Sequence, residues 1–156
     1  MKPAHLIVAA SMLAVGAAGP AMAAGDAMTV TATVVAGCHL DAGDMAFGTL
    51  DSREPRASAQ AVLTLDCSPG TAFRMTLDQG RQGSRRMADP AGVQFLDYEI
   101  YQDAAASRVW GSDAAGAVAG VADGDGRVTL SAHGRVTAER AAAGAYSDIV
   151  TVAVSF

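Results

Sequence analysis

Short runs in which apolar and polar residues alternate recur along most of the chain. Side chains of a β-strand point alternately to opposite faces, so this alternation predicts strands with one buried face. Turn-forming stretches rich in Gly, Pro and Asp separate the runs, at residues 68–70, 79–83, 89–92 and 123–126. The predicted strands are residues 28–34, 61–67, 73–77, 96–100, 128–130 (continuing weakly toward residue 136) and 150–156.

Several short strands at this spacing, without a helical pattern of useful length, predict an all-β chain folded as an antiparallel β-sandwich. The Ala-rich stretch at residues 141–143 is too short to form a stable helix by itself. A length of 156 residues corresponds to one domain. Such a domain can bury enough apolar surface to fold without a metal or a dense set of disulfides.

Residues 1–23 have the three parts of a secretory signal peptide. Lys2 and His5 form a polar start, an apolar run follows at residues 6–15, and Ala21-Met22-Ala23 forms a small-residue cleavage site. The apolar run has about ten residues, whereas a helix that spans a bilayer needs about 20. The sequence therefore predicts export of a mature chain that begins at Ala24, with no membrane span.

Export changes the interpretation of the two cysteines, Cys38 and Cys67, which both lie in the mature chain. An even number of cysteines in an oxidising compartment predicts a disulfide. Two buried thiols and a shared metal ion are the alternatives. The sequence favours the disulfide, because the Cys38-His39 dipeptide with one distant Cys makes an incomplete zinc site.

The charge balance is acidic, at −5 from 11 basic and 16 acidic residues. Proteins that bind nucleic acid neutralise phosphates with a concentrated basic surface, which this sequence lacks, so nucleic acid is not an expected partner. The small cluster Arg81, Arg85 and Arg86 could contact anionic glycans, but a solvated loop is the favoured interpretation. For Trp110, a place in the core or at the rim of the sandwich is favoured over a sugar-stacking platform.

Residues with catalytic or metal-binding potential are few, and we expect no enzyme activity, cofactor or metal. A nucleophile needs a base within hydrogen-bond reach, and no nucleophile motif accompanies the histidines of the mature chain. Two carboxylates that face each other across a cleft can hydrolyse a glycosidic bond. The two aspartate pairs of this chain instead lie near glycines in predicted turns, where an Asp side chain bonds the local backbone. The residues concerned are His39, His133, Asp41, Asp44, Asp123 and Asp125.

The two terminal runs, at residues 28–35 and 150–156, contain neither a charge nor a proline. Exposed strand edges of this kind promote aggregation, and soluble monomers usually protect them. One interpretation is that the two strands pair inside one sandwich, and the other is that each pairs with another molecule by strand addition. Alternation by itself favours pairing inside one sandwich.

Eight short motifs follow one another between residues 37 and 148. They are Gly37-Cys38 with Phe47-Gly48-Thr49-Leu50, the segment Leu65-Asp66-Cys67-Ser68-Pro69-Gly70-Thr71, the strand 73–78 with Gly80, Arg86-Met87, the strand 96–103, Trp110-Gly111, Gly134-Arg135-Val136, and Ala143-Gly144-Ala145-Tyr146-Ser147-Asp148. In this order they resemble the spore coat protein U domain family. The resemblance covers essentially all of residues 28–156.

The resemblance implies a fold and a mode of assembly. The family includes the subunits of archaic chaperone–usher pili, which are immunoglobulin-like β-sandwiches that lack their last strand. A periplasmic chaperone supplies a strand temporarily, and in the fibre the N-terminal segment of the next subunit replaces it. The implied organisation is a signal peptide at residues 1–23, a donor-strand segment at residues 24–36 and a sandwich domain at residues 37–156.

The resemblance also implies roles for residues and partners. The plugs of the donated strand are Met28, Val30, Ala32 and Val34, and the edge strand beside the groove carries Val150, Val152, Val154 and Phe156. The implied function is a structural subunit of a surface fibre that polymerises by donor-strand exchange and supports adhesion and biofilm formation. Its partners are a periplasmic chaperone, an outer-membrane usher and other subunits. The alternative is a self-complete secreted coat or ligand-binding module.

Overall fold

Eight β-strands make up the regular structure of the part of the chain that the structure describes. The computed structural model describes residues 28–51 and 53–156, and these residues contain no helix. Contacts divide the chain into two units, residues 1–33 and residues 34–156, and all eight strands belong to the second unit. The strands are β1 (Cys38–Ala42), β2 (Arg56–Cys67), β3 (Ala72–Leu77), β4 (Arg86–Ala88), β5 (Phe95–Tyr101), β6 (Val118–Val121), β7 (Arg127–Thr137) and β8 (Val152–Ser155).

The strands form two antiparallel sheets. The first has the order β1-β2-β7-β5-β4, and the second has the order β6-β3-β8. The longest ladder joins β2 to β7, from Arg56↔Thr137 to Asp66↔Arg127. On its exposed face, Arg127 Nε donates to Asp66 Oδ1 at 2.9 Å. The predicted all-β sandwich is confirmed.

The core lies between the two sheets and is built from the inward-facing residues of the alternating runs. On β2, Leu63 and Leu65 are buried, whereas Val62 on the other face is 48% exposed. Trp110 belongs to this core, as predicted, and its Nε1 donates to the carbonyl of Met75 at 3.2 Å. The buried apolar cluster consists of Ala61, Leu63, Leu65, Phe73, Met75, Leu77, Leu96, Tyr98, Ile100, Trp110, Ala132 and Val136.

Most predicted strands are present, with shifted ends. The runs at residues 61–67, 73–77 and 96–100 lie in β2, β3 and β5, and the weak run at residues 128–130 opens the long β7. The terminal run gives a shorter strand than predicted, β8. Strands β1, β4 and β6 were not predicted, because each has five residues or fewer and too little alternation to identify.

Residues that follow β1 cover the inner face of β7 at Gly134. A Cβ atom added there would clash with Sδ of Met45 and lie 2.8 Å from Cζ of Phe47. The ring of Phe47 in turn lies 6.3 Å from the ring of Tyr98, measured between centroids. Glycine at this position therefore allows the segment to pack directly on the backbone of β7.

Gly134→Ala is expected to lower the free energy of unfolding by about 1–3 kcal/mol, because the added methyl group overpacks the core. Urea unfolding followed by the fluorescence of Trp110 measures the change. Gly124→Ala is the matched control, since nothing lies within 4 Å of its added Cβ. Equal stability of the two variants would contradict this packing.

Residues 109–111 establish which sheet edges lie on the same side of the sandwich. Val109 pairs with Tyr101 on the edge of β5 that faces away from β7, and Gly111 then accepts the N–H of Leu77 at 3.1 Å. The N–H of Asp78 points to the other edge of β3 and donates to the carbonyl of Thr151, which lies just before β8. Because N–H groups of consecutive residues point to opposite edges, Gly111 lies on the β6 edge of β3. Strand β6 is therefore on the side of β5, and β8 is on the side of β1.

Candidate functional site

Strand β8 is an edge strand with one free side. It pairs with β3 from Arg74↔Ser155 to Leu77↔Val152. Along its other side, no strand or bridge pairs with it among the described residues. Free N–H and C=O groups on an edge of this kind can pair with a strand of another chain.

Inward-facing side chains on the two strands that border this side of the sandwich are only partly covered. Val152 and Val154 on β8 and Leu40 on β1 pack against the core but are only half-buried. Leu65 and Met75, on the neighbouring strands β2 and β3, are both 0% exposed. Each of these two strands ends its sheet, and we call the space between their free edges the β1–β8 groove.

The residues predicted for this edge divide into two groups. Val152 and Val154 lie in β8. Val150 precedes the strand and packs partly against the core, whereas Phe156 follows it and is 60% exposed. No charge or proline occurs in β8, so its edge lacks the usual protection against strand pairing.

Two aspartates hold the chain that leads into β8. Oδ1 of Asp78 accepts the N–H of Thr151 at 2.9 Å, and the N–H of Asp78 donates to the carbonyl of Thr151 at 3.0 Å. Oδ2 of Asp148 accepts the hydroxyl of Tyr98 at 2.7 Å, which ties the same segment to β5 in the other sheet. Both sheets therefore fix the start of β8.

The protonation states of Tyr98 and Asp78 maintain these two contacts at neutral pH. Burial, and then the hydrogen bond to Asp148, raise the pKa of Tyr98 well above its ordinary value, so the phenol remains a donor. Burial also acts to raise the pKa of Asp78, but hydrogen bonds from Thr151 and Gly80 outweigh it. The pKa of Asp78 consequently lies below its ordinary value, and its carboxylate remains an acceptor.

Cys38 and Cys67 form the predicted disulfide. They pair at the first position of the β1–β2 ladder, where β1 begins and β2 ends. Beside them, Gly37 accepts the N–H of Ser68 at 2.9 Å through its carbonyl. These bonds fix the point at which the N-terminal segment joins the sandwich.

The N-terminal segment carries no regular structure from residue 28 to residue 37. The strand predicted at residues 28–34 is therefore not formed, because no described strand offers these residues a hydrogen-bonded ladder. Met28, Val30 and Val34 are 86%, 82% and 91% exposed, and Ala32 is exposed as well. The predicted signal peptide and residues 24–27 of the predicted donor segment lie outside the described residues.

Comparison with known proteins identifies the family. Residues 24–153 match the family model described as Spore Coat Protein U domain. This chain belongs to the Spore Coat Protein U domain family. The resemblance drawn from the sequence motifs is confirmed. No curated protein matches this spore coat protein U chain.

A solved structure is similar to this spore coat protein U chain. It is the crystal structure of the CsuC–CsuE chaperone–tip adhesion subunit pre-assembly complex from archaic chaperone–usher Csu pili of Acinetobacter baumannii. One chain of that complex aligns with a TM-score of 0.63 and 26% sequence identity, over 80% of this chain. The alignment covers 41% of the matched chain, so the present chain spans about two fifths of its length.

Arg85 of this spore coat protein U domain departs from the sequence prediction. Its side chain is only 4% exposed, its Nη2 donates to the carbonyl of Trp110 at 2.9 Å, and its Nε lies 3.9 Å from Oε1 of Glu99. The interpretation of Arg81, Arg85 and Arg86 as a solvated loop is therefore wrong for Arg85. Arginines this close together are typical of a surface turn, and nothing in the local sequence distinguishes the buried one.

The remaining sequence candidates form no reactive cluster. His39 is exposed on β1, and Asp41 lies in β1 rather than in the predicted turn. Asp123 accepts the N–H of Asp125 at 3.0 Å, which is the local bonding expected of a turn residue. In residues 28–51 and 53–156, no group of three or more His, Cys, Asp or Glu side chains could hold a metal ion. The same residues include no helix of the length and hydropathy needed to cross a membrane.

Proposed function

We propose that this protein is a structural subunit of a chaperone–usher surface fibre that polymerises by donor-strand exchange and supports adhesion and biofilm formation. The observation that carries the proposal is the β1–β8 groove, with its free strand edge and its half-covered apolar side chains. The similarity to a chain of a chaperone–usher pilus complex supports the same assignment.

The N-terminal segment has the composition of a strand that could complete the groove. We assign one of its faces as the plugs, Met28, Val30, Ala32 and Val34, while the other face carries Thr29, Thr31 and Thr33. Burial of one Val-sized side chain stabilises an interface by roughly 1.5–3 kcal/mol. Backbone hydrogen bonds to the free side of β8 add affinity. The receiving edge consists of Val150, Val152, Val154 and Phe156.

A segment donated by one molecule to a groove on the next makes a head-to-tail contact. Such a contact does not close on itself and therefore builds a fibre. The proposed partners are other subunits, a periplasmic chaperone that covers the groove before assembly, and an outer-membrane usher. We infer export by a cleaved signal peptide and passage through the periplasm to the cell surface, which the disulfide supports. The role requires no catalytic residue and no cofactor.

Denaturing gels of periplasmic extract, unboiled and boiled, test the proposal. We expect the full mature chain to give a ladder of SDS-resistant oligomers that collapses on boiling, and the chain without residues 24–36 to give none. In the matched control, Thr29, Thr31 and Thr33 are replaced by Ser. The ladder should persist there, because the plug face is unchanged.

A single monomer band under all conditions, from a full-length chain that purifies alone as a soluble folded protein, would contradict the fibre proposal. That result would favour the alternative of a self-complete secreted coat or ligand-binding module.

A further inference from the structure

We propose that the thioether sulfur of Met28 is an oxidation site, and that its conversion to the sulfoxide by a peroxide keeps a subunit out of the fibre. The inference rests on the proposed donor-strand function. It adds a covalent modification site to the N-terminal segment, and it names the class of oxidant that acts on the unassembled subunit.

The four methionines of the predicted mature chain differ widely in their access to solvent. Met28 is 86% exposed, whereas Met75 in the core is 0% exposed. Met45 and Met87 are partly buried and pack against the same core. A peroxide must reach the sulfur atom to react with it. We therefore expect Met28 to be oxidised before the three methionines of the sandwich.

Contacts within the sandwich explain the protection of Met45 and Met87. The Sδ atom of Met45 lies against Gly134 on the inner face of β7, since a Cβ atom added to that glycine would clash with it. Met87 lies in β4, where it pairs with the buried Leu96 of β5. Met28 has no regular structure around it and precedes every described strand.

The reaction with hydrogen peroxide is a transfer of one oxygen atom. A lone pair of the Met28 sulfur attacks a peroxide oxygen, and the S–O bond forms as the O–O bond breaks. The departing hydroxide takes the proton from the transferred oxygen and leaves as water. The sulfur is oxidised by two electrons, and the peroxide is reduced. A flexible apolar side chain thereby becomes a polar sulfoxide.

A sulfoxide at residue 28 no longer fits the role of a plug. In the proposed joint the plugs enter the β1–β8 groove, which is bordered by the half-buried apolar side chains of Leu40, Val152 and Val154. The sulfoxide oxygen would lose its hydrogen bonds to water there, and none of these side chains can donate one. Burial of such an unpaired polar group weakens binding by roughly tenfold or more.

Assembly would protect the residue that it buries. Once Met28 lies in a groove, its sulfur is covered, so a peroxide reaches only subunits whose N-terminal segment is still free. Oxidation therefore acts on the unassembled subunits and leaves the existing fibre intact. Methionine sulfoxide reductases reverse the modification, with one class of enzyme for each epimer of the sulfoxide.

Hydrogen peroxide added to cells during expression of the full chain tests the proposal. The natural sequence is compared with Met28→Leu, and Met87→Leu is the matched control, because exchange of Met for Leu nearly conserves volume. Unboiled gels of periplasmic extract measure the SDS-resistant ladder. Tandem mass spectrometry of the monomer and ladder bands locates each added oxygen atom.

We expect peroxide to reduce the ladder of the natural sequence and of Met87→Leu, while the ladder of Met28→Leu persists. In the natural sequence, the ratio of sulfoxide to thioether at Met28 should be at least about tenfold lower in the ladder than in the monomer. Peroxide added after the ladder has formed should leave both the ladder and its Met28 unchanged.

An equal loss of the ladder in Met28→Leu would overturn the inference. So would a ladder that contains Met28 sulfoxide in the same proportion as the monomer. In both cases the ladder without peroxide still supports the donor-strand function. If no variant forms a ladder even without peroxide, the proposed function is wrong and the inference falls with it.

Discussion

Val30→Asp is expected to abolish the SDS-resistant ladder. In the proposed joint this side chain is inserted into an apolar groove, where an ionised carboxylate would have no partner. Burial of an unpaired charge costs several kcal/mol, so we expect the affinity of the donated strand to fall by more than about a hundredfold. The receiving groove on the same molecule is unchanged, since Val30 lies outside the strands that border it. Unboiled gels of periplasmic extract measure the effect.

Thr31→Asp is the matched control. It adds the same charge one residue further along the segment, on the face that we assign to solvent. The ladder should persist in this variant. If both variants lose the ladder, or if both keep it, the two faces of the segment are wrongly assigned.

Removal of the disulfide by Cys38→Ser with Cys67→Ser is expected to lower the free energy of unfolding by about 3–4 kcal/mol. The two cysteines are 29 residues apart in the sequence, and a closed loop of this size restricts the unfolded chain by about that amount. A loss of this size is a large part of the 5–15 kcal/mol by which domains are usually stable. Urea unfolding of the two proteins measures the difference.

Reductant provides the control for the disulfide. It should destabilise the natural sequence to the level of the double variant and leave the double variant unchanged. The disulfide would have no constraining role if the free energy of unfolding fell by less than about 1 kcal/mol, either in the double variant or in the natural sequence under reductant.

The alternating pattern identified the strands that have one buried face, because side-chain direction in a strand has a period of two residues. Leu63 and Leu65 on β2 and Phe73 and Met75 on β3 are examples, and all four are buried. Strand β1 was missed, since only Cys38 and Leu40 point inward and Ala42 is exposed. Its five residues form a strand because β2 lies beside them, a neighbour that local sequence does not reveal.

The candidate site was predictable only in part. The resemblance to the family assigned Val152 and Val154 to an edge strand, and the cysteine pairing followed from the predicted export. The contact between Tyr98 and Asp148 joins residues 50 positions apart, so no local signal indicates it. The run at residues 28–34 has the pattern of a strand but forms none, because a ladder requires a neighbouring strand. In our proposal that strand is β8 of another molecule.

Refolding of the chain that lacks residues 24–36, with and without a synthetic peptide of those residues, tests directly whether the groove receives this segment. We expect the peptide to stabilise the chain in a concentration-dependent manner, by about 2.7 kcal/mol at 100 times its dissociation constant. The same peptide with Val30→Asp should have no effect. If the chain is equally stable with and without the unmodified peptide at saturating concentration, the groove does not receive this segment and the proposed donor-strand exchange is wrong.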